Sequence, residues 1–129
     1  YMDRWHGKHP TPWDFFNTFS NVAQRNLNWF WNNWFFSTNY TDYDLKAVKK
    51  SKQGYDVSIK NTGGFFAPVD VIVNYADGST ETKHLTPAVW EKQTGQVTVP
   101  VKTSKKIKSV TLDGGIFMDA DESNNTKNI

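Results

Sequence analysis

The spacing of apolar residues changes near residue 42. Upstream it is helical. Leu27, Phe30, Trp31, Trp34 and Phe35 fall at i, i+3, i+4, i+7 and i+8, the stripe of one helix face. Phe15, Phe16, Phe19, Val22 and Ala23 recur at helical spacing before it. Thr11 is a good N-cap, Pro12 suits the first helical position and Asp14 suits the first turn, where a carboxylate meets free N–H groups. Asn26 can cap the second helix. Trp29 and Phe36 lie off the stripe, seven residues apart on another face. A helix that is apolar on two sides is sandwiched between two bodies. "STNYTD" breaks the pattern and serves as a connector.

From Asp42 the period is two. Tyr55, Val57 and Ile59 alternate with Asp56, Ser58 and Lys60. Val69, Val71, Val73 and Tyr75 alternate with Asp70, Ile72 and Asn74. Asp77-Gly78 then precedes Thr80–Leu85, a strong hairpin signal. Val97, Val99 and Val101 form a further strand, with Pro100 on the opposite parity, which favours an edge. Ile107–Leu112 follows, then Gly114-Gly115 and a short strand at Ile116–Met118. Six or seven such strands separated by turns predict a mainly β chain. The expected architecture is an immunoglobulin- or fibronectin-type antiparallel β-sandwich over residues 42–129. A helical segment of about two helices over residues 1–41 precedes it. The expected core is Tyr55, Val57, Ile59, Val69, Val71, Val73, Val97, Val99 and Leu112.

Composition sharpens one point. The chain has 129 residues with nine Phe, six Trp and five Tyr, and 14 of these 20 rings lie between Tyr1 and Tyr43. A buried ring removes about 150–250 Å² from water, so rings left uncovered forfeit several kcal/mol. Part of the helical segment is therefore expected to be an interface, with Trp29, Phe36, Trp5 and Trp13 as candidates. A net charge of +2 gives no push toward nucleic acid or anionic membrane. The lysines cluster at Lys46, Lys49, Lys50 and Lys52 and at Lys102, Lys105, Lys106 and Lys108, a pattern that suits solvated faces and guarded strand edges. There are no cysteines, which removes disulfides and thiolate chemistry and leaves the compartment open; a bacterial periplasm or cell envelope fits. No apolar run is long enough for a transmembrane helix. The start at Tyr1, without an initiator Met or a signal peptide, suggests a piece of a longer polypeptide.

Candidate chemistry is sparse. His6 and His9 have H-x-x-H spacing, but Gly7 and Pro10 interrupt any helix that would align them, and His84 is remote in sequence. A zinc site needs three or four convergent ligands, and no H-E-x-x-H occurs. "DADESNN" offers spaced oxygens at Asp119, Asp121, Glu122, Asn124 and Asn125. It lacks the glycine and distant bidentate Glu of an EF-hand, so turn hydrogen bonding is the preferred reading over calcium. No G-x-S-x-G elbow and no phosphate loop is present. Asn39-Tyr40-Thr41 and Asn124-Asn125-Thr126 match glycosylation acceptors. A carbohydrate- or protein-binding β-sandwich is the alternative function, although five of the six Trp lie in the helical part and only Trp90 in the β part.

"YMDRWHGKHPTPWDFFNTF" followed by "NLNWFWNNWFF" resembles the end of the helical region in gluzincin zinc aminopeptidases, the bacterial alanyl aminopeptidase type of peptidase family M one. The matching residues are Trp5, Lys8, His9, Pro10, Thr11, Pro12, Asp14, Phe15 and Phe16, then Trp29, Phe30, Trp31, Trp34 and Phe35. "YTDYDLKAVKK", "VIVNYADGSTET" and "LDGGIFMDADESNN" are similar to the β-domain that ends such enzymes. The resemblance implies a non-catalytic C-terminal accessory domain whose partners are the upstream catalytic and helical domains of the same polypeptide. Zinc would belong to those domains, since neither H-E-x-x-H nor G-x-M-E-N occurs here. A parent that has lost its zinc motif and acts as a binding scaffold is the competing possibility. No catalytic, metal or cofactor-binding residue is carried onto this chain.

Overall fold

Helix α1 (Met2–Trp5) is a single turn. Helix α2 (Pro12–Ala23) begins at a capping box: the Thr11 side chain accepts from the Asp14 N–H, and the Asp14 carboxylate accepts from the Thr11 N–H at 2.8 Å. Helix α3 (Asn28–Phe35) has Leu27, not the expected Asn26, at its N-cap and no side-chain cap; the Asn26 side chain instead accepts the Asn28 N–H at 2.8 Å one residue earlier. These observations come from a computed structural model that describes residues 1–93 and 95–129.

The chain divides into two units, Tyr1–Ser37 and Thr38–Ile129. In the first, α2 and α3 meet through Phe16 and Trp31, its two buried apolar residues, with ring centroids 5.0 Å apart. Phe15, Phe35 and Phe36 add edge-to-face contacts to that pair.

The second unit is mainly β. Its strands are β1 (Tyr43–Ser51), β2 (Gly54–Asn61), β3 (Val69–Tyr75), β4 (Thr80–Leu85), β5 (Gln96–Lys102), β6 (Ile107–Asp113) and β7 (Thr126–Asn128). They form two antiparallel sheets, ordered β1-β2-β5 and β4-β3-β6-β7. The period-two pattern becomes one buried row per strand. Val57 sits opposite Val99 in one sheet, and Val71 and Val73 sit opposite Leu112 and Val110 in the other, all buried. A 3₁₀ turn, Pro87–Trp90, delivers Trp90 into the core, where it stacks on Tyr43 at 5.3 Å. The Tyr43 hydroxyl accepts the Ala67 N–H at 2.9 Å and lies within donating distance of the Phe65 and Ala67 carbonyls. Burial pushes the Tyr43 phenol up to about 12.

The hairpin at Asp77-Gly78 is present, with Gly78 at φ +84, and Pro100 lies on the edge strand β5. Other sequence expectations change. Ile116–Met118 is no strand: Phe117 N–H closes a turn on the Gly114 carbonyl, Gly115 takes a left-handed φ of +59, and Ile116 and Met118 are exposed. The last strand is β7 instead. Val97 is only half-buried, near the end of an edge strand. Three helices stand where two were expected, because the first residues close one turn on the Tyr1 carbonyl. The connector Thr38–Thr41 is tied into the β unit, where Tyr40 bridges Gly64 and the Asn39 amide donates to the Gly64 carbonyl.

Candidate functional site

The aromatic surface of the helical unit is the first candidate. Trp13 lies in the first turn of α2, and Phe36 lies just past the end of α3. Their rings stack at 6.1 Å with an interplanar angle of 12°, yet they are 65% and 58% exposed. Both touch Phe16 edge-on. Phe35, Phe19 and Val22 are exposed as well. The helical stripes placed these three on covered faces. In an eight-residue helix the Phe16–Trp31 contact covers only the centre of the stripe, and Phe35 at its end stays in solvent.

The other two candidates stand apart from this pair. Trp5 is half-buried, and its indole N–H donates to the Thr18 hydroxyl at 2.9 Å. The Lys8 ammonium lies 5.7 Å from the Trp5 ring centroid, a cation–π arrangement. Trp29 is half-buried and meets Phe30 edge-on at 5.8 Å. The structure therefore brings together Trp13 and Phe36, not Trp29 and Phe36.

In the β unit the two lysine clusters contribute to one open cleft lined by Lys50, Lys52, Lys105 and Lys106. Lys105 is already paired with Asp77 at 2.9 Å and donates to the Ser79 hydroxyl at 2.8 Å. The hydroxyl and backbone N–H of Ser79, with Lys105, hold the Asp77 carboxyl well below the usual carboxylate range. His6 and His9 are exposed in the loop after α1, and His84 pairs with Asp70 at 2.6 Å on the β3–β4 surface. Among the described residues no three His, Asp or Glu side chains stand converged as a metal cage.

The acidic tail does more than make turns. The Asp119 carboxylate accepts the Tyr43 N–H at 2.8 Å and the Asp121 N–H at 2.9 Å. The Asp121 carboxylate accepts the Ser123 N–H at 3.1 Å and the Asn124 amide at 3.3 Å. The Ala120 N–H donates to the Thr41 carbonyl at 2.9 Å. The loop is thus fastened on both sides of Asp42. Asp42 is 9% exposed, and its Oδ1 is buried with no hydrogen-bond partner; the same holds for Oδ1 of Asn124 and of Asn125. Burial, and then Asp119, Asp121 and Asp44, push the Asp42 carboxyl up, against a smaller opposing pull from Lys60. Sequence reading missed Asp42, since one Asp before a strand carries no signal of its own.

No family model, no curated protein and no solved structure matches the chain.

Proposed function

We propose that the chain is a non-catalytic accessory region at the C-terminal end of an aminopeptidase-type zinc metallopeptidase, serving to dock the catalytic and helical body that precedes it. The observation that carries this reading is the exposed Trp13–Phe36 stack with Phe35 beside it. Several large rings in solvent on so small a unit suit a surface that another body covers. The Trp5–Phe16 and Trp29–Phe35 segments supply the family resemblance. The histidines of this chain do not fit a zinc site, so in this reading the metal and the hydrolytic chemistry belong upstream. The β unit is read as a fibronectin-like sandwich. Its fourth strand joins the sheet of the third, whereas in immunoglobulin constant domains it joins the sheet of the first two.

The coding sequence upstream of Tyr1 tests the reading. An H-E-x-x-H helix with a downstream Glu is expected there, and a polypeptide without that motif overturns the enzyme assignment. In the full polypeptide, Trp13→Ser should lower the melting temperature of the catalytic body; an unchanged value would mean that the ring faces solvent there too. Oligosaccharide quenching of Trp fluorescence in the full polypeptide would favour the carbohydrate-binding alternative. Zinc-dependent hydrolysis of aminoacyl chromogenic substrates by the purified 129-residue chain would overturn the non-catalytic role.

A further inference from the structure

We propose that the lysine-lined cleft of the β unit binds an anionic polysaccharide. This inference does not depend on the docking role above, and it rests on lysines rather than on exposed indoles. Its first ground is what the fold gathers. Lys50 and Lys52 come from the end of β1 and its turn into β2. Lys105 and Lys106 lie in the loop where the chain crosses from β5 of one sheet to β6 of the other. The two pairs are remote in sequence, yet they line one open cleft of about 640 Å³.

The second ground is unmatched charge. Lys105 is paired with Asp77, and its ammonium lies 5.4 Å from the Tyr75 ring centroid. Among the described residues no carboxylate pairs with Lys50, Lys52 or Lys106, and all three are exposed. Like charges on one concave surface repel one another and focus their field into the cleft. An anion that enters relieves the repulsion and is concentrated there.

The walls of the cleft are seated on each other. The Thr103 N–H donates to the Gln53 carbonyl at 3.1 Å. A Cβ on Gly54 would stand 2.1 Å from the Val101 carbonyl oxygen and 2.7 Å from the Thr103 nitrogen, so only glycine lets the turn lie this close to β5. The Ala76 N–H donates to the Lys106 carbonyl at 2.8 Å, which holds the loop to the end of β3.

The lining selects the ligand. An open, concave cleft admits a polymer chain better than a flat bilayer. Beside the lysines it offers the Ser51 and Ser104 hydroxyls and the Gln53 amide, which can hydrogen-bond to sugar hydroxyls. Its aromatic residue, Tyr55, is buried, so nucleic acid bases find no stacking platform. No exposed apolar side chain lines it among the described residues, so an acidic peptide finds no anchor.

The test uses the 129-residue chain and a fluorescein-labelled heparin hexasaccharide, read by anisotropy. Binding is expected, and it should weaken steeply as salt is raised, because each lysine that meets a sulfate releases a counterion. Lys52→Gln with Lys106→Gln should weaken binding by about tenfold. Lys60→Gln with Lys92→Gln removes the same charge at exposed positions outside the cleft, and should change binding by no more than about twofold. Absence of binding overturns the proposal. So does an equal loss in the two variants, which would make the attraction one of net charge alone. Tighter binding of polyglutamate or of oligothymidylate of matched charge overturns the polysaccharide assignment.

Discussion

The helical unit and the β unit meet the problem of covering apolar surface in opposite ways. In the β unit the rows Val57–Ile59, Val69–Val73 and Val110–Leu112 are buried on one face of each sheet, and Trp90 and Tyr43 fill the same core. The Tyr43 hydroxyl is matched as well, between Phe65 and Ala67. The helical unit has more rings and less interior. Phe16 and Trp31 are buried, and around them aromatic residues touch one another while Trp13, Phe19, Phe35 and Phe36 remain in solvent. Aromatic content alone therefore does not make a core. A sheet buries alternate residues along each strand, whereas helices of four, twelve and eight residues can cover only the middle of their stripes.

The largest expected effect would strike the better-covered unit. Trp90→Ala removes a fully buried ring and its N–H bond to the Ala67 carbonyl, and should cost about 3–5 kcal/mol in urea unfolding. A loss below about 1 kcal/mol would show that the core rests elsewhere and would erase the contrast.

Tyr43 provides the next. Its phenol titrates near 10 when unfolded and at about 12 in the fold. A raised pKa means that the native state holds its proton longer. The contribution is therefore complete below pH 10 and lost as pH rises through 12, by roughly 2–3 kcal/mol. The fall in stability between those limits should be steeper than in Tyr43→Phe; parallel curves would mean that the phenol ionises freely.

Effects in the helical unit should be smaller. Thr11→Ala breaks the capping box and should cost about 1 kcal/mol, visible as faster amide exchange across α2. Unchanged exchange would show that packing, not the cap, fixes the start of the helix. Trp13→Ser and Phe36→Ser should each change the stability of the 129-residue chain by no more than about 0.5 kcal/mol while reducing its binding of a hydrophobic dye. Unfolding by either variant would make these rings core residues and sharpen the comparison in the opposite direction.

What sequence could foresee was local. Thr11, Pro12 and Asp14 announce α2 because a cap needs only neighbours within one turn. Asp77-Gly78 announces its hairpin, and Val69–Tyr75 its buried row, for the same reason. Trp90 gave no such signal, since it sits in a 3₁₀ turn and stacks on Tyr43, which is remote in sequence at the start of β1. The Trp13–Phe36 stack needs the packing of two helices, and periodicity within one helix cannot supply it. Asp42 shows the same limit at the acidic loop. The tail oxygens were visible as a pattern, but the buried carboxylate opposite them comes from the start of β1.

The fastening of residues 39–43 has a mechanical meaning. Tension applied to the β unit through its N-terminal end first loads short cross-links, from Asn39 and Tyr40 to the 63–65 turn and from Thr41 and Tyr43 to Asp119 and Ala120. The opposite end is held differently. β7 pairs with β6 over three residues only, helped by the Lys127 ammonium on the Lys46 carbonyl at 2.7 Å. A strand so short peels one bond at a time, while the clamp at residues 39–43 must yield several bonds at once. Stretching from both ends should therefore strip β7 first, slacken the 119–125 loop that follows β6, and only then release β1. A single-molecule pulling trace should show a small early step of about the length of β7 and its loop, and a large late one; a single rupture would mean that both ends fail together.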